Sequence, residues 1–148
     1  MDTYRMAGHL IRRLHQISTQ VFSRRMQEAG FDLTPVQFAA MDAITTYPGI
    51  DQAGVAGRIA YDRATIGGVI DRLEQKGYVV RNVCKHDRRA REVRATDEGL
   101  RVFAQILPVV AALQDEILPG LDAAERAQFL ALAAKAARGD EEEAGAQG

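Results

Sequence analysis

The chain has 148 residues, 19 of them Lys or Arg and 20 Asp or Glu, with 47% hydrophobic content and a formal charge of -1. That is one domain's worth of chain with enough apolar material for a core, which excludes a disordered polypeptide, and no apolar run nears the roughly 20 residues of a membrane span. One cysteine and three histidines exclude an internal disulfide and leave no recognisable metal-ligand set, so a reducing cytoplasm without metal or cofactor is the expected setting.

The opening MDTYRMAGHLIRRL is amphipathic and lacks the charged head, clean apolar stretch and cleavage site of a signal peptide. Tyr4 to Ala29 sets Leu10, Leu14, Ile17 and Val21 on one stripe, widened by Ile11 and Phe22, and Gly30 stands where a helix-ending glycine belongs. Thr34-Pro35-Val36-Gln37 reads as a capping box with proline at the first helical position, opening a second helix to about Tyr47. After the Pro48-Gly49 turn, Asp51 caps a short third helix ending near Ala60. Asp62 then caps a fourth, Arg63 to Lys76, with Ile66, Val69, Ile70 and Leu73 inward and Gly77 as its stop.

Two short helices around a tight turn, the second carrying outward polar and basic side chains, match a helix-turn-helix. Next the period changes. Residues 78–84 and 92–96 read as strands joined by Lys85-His86-Asp87-Arg88-Arg89-Ala90-Arg91, a hairpin whose basic tip would reach the minor groove beside a major-groove site. Residues 58–94 hold ten basic and five acidic side chains, a local +5 that the whole-chain charge conceals. Such local excess is what a phosphate-binding face looks like.

Thr96-Asp97-Glu98 opens a fifth helix to Leu118, in which Pro108 should produce a kink. Asp122-x-x-Glu125 caps a sixth, reaching about Arg138, and residues 139–148 read as a frayed acidic tail. Eight of the fifteen residues from Ala123 to Ala137 are alanine, a composition that lets helices approach closely. The first, fifth and sixth helices carry more apolar surface than one small domain covers. An intramolecular bundle would use it, but a homodimer is preferred, because a two-fold pair sets two recognition helices about 34–36 Å apart, one duplex turn.

The expected architecture is therefore mainly α with a small β-hairpin wing: an N-terminal dimerisation helix (1–32), a winged helix-turn-helix (33–96), C-terminal dimerisation helices (97–138) and the tail (139–148). The runs Leu33-Thr34-Pro35-Val36-Gln37-Phe38, Asp62-Arg63-Ala64-Thr65, Asp71-Arg72-Leu73-Glu74-Gln75-Lys76-Gly77, Asp87-Arg88-Arg89 and Thr96-Asp97-Glu98-Gly99 resemble the MarR family over nearly the whole chain. The resemblance implies a homodimeric regulator, in most cases a repressor, that binds a palindromic double-stranded operator and is released by a small ligand, commonly an aromatic acid.

Carried over by position, residues 62–72 form the recognition helix, with Arg63, Ala64, Thr65 and Gly68 toward the major groove. Arg63 is favoured because arginine can bridge guanine O6 and N7. Arg72, Arg88, Arg89 and Arg91 complete the expected DNA surface, and the resemblance pairs Asp87 with Arg89 to stiffen the wing. Gly67-Gly68 departs from the family's side-chain-rich helices; close backbone approach to DNA and tight packing on the third helix both account for it.

The resemblance places an effector pocket among the first, second and fifth helices. His9, Arg12, Arg13 and Gln16 gather on one side of the first helix, where a guanidinium and an imidazole suit a hydroxybenzoate or hydroxypyridine carboxylate, with ring contacts from Phe38 and Phe103. Ordinary exposed positions of an amphipathic helix are the alternative. A different reading is a thiol-based oxidant sensor using Cys84, although peroxide-sensing relatives carry their cysteine in the first helix. No nucleophile elbow, phosphate loop or carboxylate pair points to an enzyme.

Overall fold

The structure, a computed structural model, describes residues 2–83 and 90–146, with side chains described to residue 138. A single 3-10 turn, Thr3–Arg5, precedes α1, Ala7–Ala29. The helix begins three residues later than its apolar spacing predicts. Asp2 takes the amide of Tyr4 at 3.2 Å and the Met6 amide bonds back to Thr3, leaving Met6 extended between turn and helix. At the other end Gly30 is left-handed at φ 79°, and Phe31 N donates to Met26 O at 2.9 Å, so orphan carbonyls are closed as a C-terminal glycine allows.

Helix α2 spans Pro35–Thr46 behind the expected capping box: Thr34 Oγ1 accepts from Gln37 N at 3.2 Å and Gln37 Oε1 from Thr34 N at 3.3 Å. Asp51 caps α3, Gln52–Arg58, by accepting from Gly54 N at 2.6 Å. Helix α4 is Ile66–Gln75, shorter at its start than expected, and Arg63, Ala64 and Thr65 form the turn before it. Asp62 makes that turn: its carboxylate accepts from Ala64 N at 3.1 Å, and its carbonyl takes the amides of Thr65 and Ile66. Gly77, at φ 80°, closes α4.

Strands β1, Val79–Val83, and β2, Arg91–Ala95, pair antiparallel with Val79 opposite Ala95 and Val83 opposite Arg91. Tyr78 and Thr96 fall outside the ladder. Tyr78 N closes the end of α4 on Leu73 O, while the Thr96 hydroxyl accepts from Gly99 N at 3.0 Å and donates to Gly77 O at 2.6 Å. Thr96 thereby starts α5, Asp97–Ile117, which continues past Pro108. Helix α6 runs Ala123–Ala146 behind a complete Asp122/Glu125 capping box. It passes Gly139, so the residues expected to fray are helical to 146; an isolated glycine costs a helix only about 1 kcal/mol, and the following Glu and Ala are strong helix formers.

Two compact units divide the chain, Met1–Leu113 and Gln114–Gly148. In the first, Met41, Ile44, Val55, Ile66, Ile70, Leu73, Val79 and Val93 are all at most 2% exposed, so α2, α3, α4 and the hairpin share one core. The hairpin is also tied to the α2–α3 turn, since Val93 N donates to Ile50 O at 2.9 Å. In the second, α6 exposes Leu130 and Leu132, and Arg126 pairs with Asp115 at 3.3 Å.

Candidate nucleic-acid interface and effector concavity

The turn that Asp62 builds leaves Arg63, Ala64 and Thr65 exposed at the foot of α4, with Gly68 and Arg72 exposed further along. Arg63 and Ile66 line a concavity of about 340 Å³ whose other walls are Asp51, Gln52 and Ala53 from the start of α3 and Ala90 and Arg91 from the hairpin. The fold thus brings two of the expected DNA-binding arginines, 28 positions apart, to one groove. Arg91 is the first residue of β2 rather than part of the tip. Arg88, Arg89, the Asp87–Arg89 pair and Cys84 lie outside the described residues.

Which cations remain available is decided by tertiary contacts. Of the basic residues described between 58 and 94, four are committed. Arg58 lies over the Tyr47 ring at 3.9 Å and donates to its hydroxyl at 3.1 Å. Lys76 donates to Asp32 O and, at 3.0 Å, to Gln37 Oε1, whose side chain is the one buried polar group among the described residues. Arg94 pairs with Glu92 at 2.6 Å. Arg81 pairs with Asp71 and, at 3.2 Å, with Glu74, and its Nη1 donates to Gln52 at 3.4 Å. Arg63, Arg72 and Arg91 have no ion pair with a described residue.

The Arg81 bracket was not anticipated, though Asp71 and Glu74, one helical turn apart, were its visible half. Arg81 also donates its backbone amide to Glu74 Oε2 at 3.3 Å, so β1 is held to α4 by side chain and main chain together. The side-chain hydrogen bond from Arg81 foremost holds the Glu74 carboxyl below its ordinary value; desolvation opposes it, and the charge and backbone amide of Arg81 add to the lowering. Glu74 in turn raises Arg81.

The two glycines of α4 differ. A Cβ on Gly67 would stand 3.3 Å from Gln52 Nε2 of α3, whereas one on Gly68 would meet nothing within 4 Å. Contact with α3 therefore bears on Gly67 alone. Gly99 is tighter: a Cβ there would come within 2.0 Å of Tyr78 O, which explains why the start of α5 carries glycine.

His9, Arg12, Arg13 and Gln16 line one open concavity of about 280 Å³ on α1. Arg13 donates to Gln16 at 2.7 Å, and His9 meets the Tyr4 ring edge-on at 5.2 Å. Phe38 and Phe103 do not line it. They stack on each other at 5.5 Å, with Phe22 beside Phe38 at 6.2 Å, and Phe103 packs on the core. Among the described residues no cluster fits a metal ion and no helix is long and apolar enough to cross a membrane.

Residues 31–90 match the family model described as MarR family. The transcriptional regulator HosA of Escherichia coli O127:H6 is 35% identical over 129 residues, which cover 87% of this chain and 93% of HosA. The chain belongs to the MarR family. Solved MarR-like neighbours agree along the chain: Bordetella bronchiseptica BpsR, whose DNA binding is regulated by 6-hydroxynicotinic acid, has a TM-score of 0.84 at 26% identity, with 93% of this chain and 96% of that one covered. Streptomyces coelicolor PcaV, solved with its natural ligand, has a TM-score of 0.83 at 34% identity, covering 93% and 95%. The protein is thus a MarR-family transcriptional regulator with a winged helix-turn-helix fold, and its relatives are regulators rather than enzymes.

Proposed function

We propose that this MarR-family chain is a cytoplasmic repressor that binds a palindromic double-stranded operator as a homodimer and is released by a small aromatic acid, a hydroxybenzoate or hydroxypyridine carboxylate. The observation that carries the DNA half is the groove at the foot of α4, flanked by the exposed Arg63 and Arg91, neither of which has an ion pair with a described residue. Arginine there can meet phosphates or bridge a guanine edge, the latter worth roughly 1–3 kcal/mol of base discrimination. Exposed Leu10 and Ile11 on α1 and Leu130 and Leu132 on α6 support the dimer. The effector half rests on His9, Arg12 and Arg13 around one concavity, where a guanidinium can take a carboxylate in bidentate fashion, and on the likeness to BpsR and PcaV. The switch uses no metal or cofactor.

The test selects duplexes from a random library with the wild-type chain and measures binding across a salt series. Arg63→Ala and Arg91→Ala should each flatten the log-log slope by about 0.9. A wild type that retains no duplex preferentially, or unchanged slopes in both variants, would overturn the DNA reading. For the effector, 4-hydroxybenzoate and 6-hydroxynicotinate are titrated calorimetrically; binding lost in Arg13→Ala, and DNA release by the same acid, is expected. No heat from either acid sinks that half.

A further inference from the structure

Gln52 is the first residue of α3, half-buried, with its amide oxygen accepting from Arg81 Nη1 at 3.4 Å. A guanidinium only donates, so the atom facing it must be oxygen and the NH2 must face away. Arg81 cannot readily turn to accommodate a flip. Asp71 and Glu74 hold its other nitrogen, Glu74 also holds its main-chain amide, and its side chain is only 18% exposed. On the NH2 side of the amide lies Gly67, and Gln52 itself lines the groove. The nearest atom to a Cβ at Gly67 would be Gln52 Nε2, so any side chain at 67 would crowd that NH2. Among the described residues nothing accepts from it, and it sits in the wall that also carries Arg63 and Arg91. Asp51 lines the same groove, but its carboxylate is engaged by Gly54 N at 2.6 Å.

We propose that Gln52 contacts bound duplex directly, donating from Nε2 to a hydrogen-bond acceptor of the DNA, and that Arg81 is the positioning residue that fixes the amide for it. The acceptor is a phosphodiester oxygen or a base-edge oxygen or nitrogen, and both present the same chemistry to an NH2. The inference rests on the groove being the DNA face and adds to it a neutral donor that no excess of charge would reveal. It also assigns Gly67 a purpose: absence of a side chain leaves the amide uncovered.

The test uses the full chain and the duplexes selected by wild type. Gln52→Met keeps the length of the side chain and removes the donor; affinity should fall about five- to tenfold, the scale of one lost hydrogen bond, with an unchanged salt slope because no charge is lost. A loss equal on every duplex identifies a phosphate acceptor, and one confined to duplexes sharing a base identifies a base edge. Arg81→Met should reproduce part of the loss in wild type and add nothing in the Gln52→Met background, while Arg81→Lys, still a pure donor, should restore binding. Thermal midpoints measured on each variant separate these effects from unfolding. Affinity of Gln52→Met within twofold of wild type would overturn the proposal while Arg63→Ala still flattens the slope; additive Arg81 and Gln52 losses would overturn the positioning role.

Discussion

The α2–α4 core and the first half of α1 are built from the same kinds of apolar side chain, yet they end in opposite environments. Ile44, Ile70 and Leu73 are at most 1% exposed, whereas Leu10 is 47% and Ile11 65% exposed. The core helices are short and meet one another within a few dozen residues, with the hairpin closing the remaining side. The start of α1 extends beyond that core, and only its last turns, at Val21, Phe22 and Met26, are buried. An amphipathic stripe therefore states that a helix has a partner, not whether the partner is in the same chain.

That contrast can be broken most sharply in the core. Leu73→Ala should cost roughly 2–5 kcal/mol in chemical denaturation, since it leaves a cavity among fully buried neighbours. A cost under 1 kcal/mol would mean the α4 stripe is not packed as described. Next is the seam between α4, the hairpin and α5: Gly99→Ala drives a methyl into the Tyr78 carbonyl and should cost about 1–3 kcal/mol, as overpacking against backbone does. Thermal melts that leave Gly99→Ala at the wild-type midpoint would refute the close approach.

At the exposed end, Ile11→Ser should change protomer stability by less than about 0.5 kcal/mol, as a surface substitution does. In the proposed dimer it should raise the dissociation constant by about tenfold, near 1.4 kcal/mol, in sedimentation equilibrium. Unchanged association would place the dimer contact elsewhere. The smallest effect concerns the Arg81 bracket. Glu74 titrates lower folded than unfolded, so its contribution is present above the ordinary carboxylate range and is lost as pH falls through its lowered value. Denaturation midpoints followed from neutral to acid pH should drop less steeply in Arg81→Met than in wild type; parallel curves would show the bracket is not coupled to folding.

Much of the fold was legible because its signals are local. The Thr34/Gln37 and Asp122/Glu125 boxes, the Asp51 cap, the glycine stops at 30 and 77 and the buried face of α4 each depend on residues three or four positions apart, and each is found as read. The start of α4 was misread because Asp62 makes a turn before it makes a helix, and both use the same cap. The candidate site was legible in part. Arg63 and Arg91 were named from their positions, but not that they share a groove with Gln52. Phe38 and Phe103, read as ring contacts for a ligand, stack on each other and do not line the α1 concavity.

The amino-acid order alone settled which helices form and in what order, that a hairpin follows the fourth, where most of the caps lie and which faces are apolar, because capping and periodicity act within a turn or two of chain. Tertiary structure decided which cations are spent on the protein and which remain for something else. Arg81 and Arg91 are alike in composition and in local charge, but one finds Asp71 ten positions back, across the α4–β1 turn, while the other opens onto a groove without a described carboxylate partner. Ion pairs form wherever folding brings opposite charges within a few ångströms, and separation along the chain does not measure that distance.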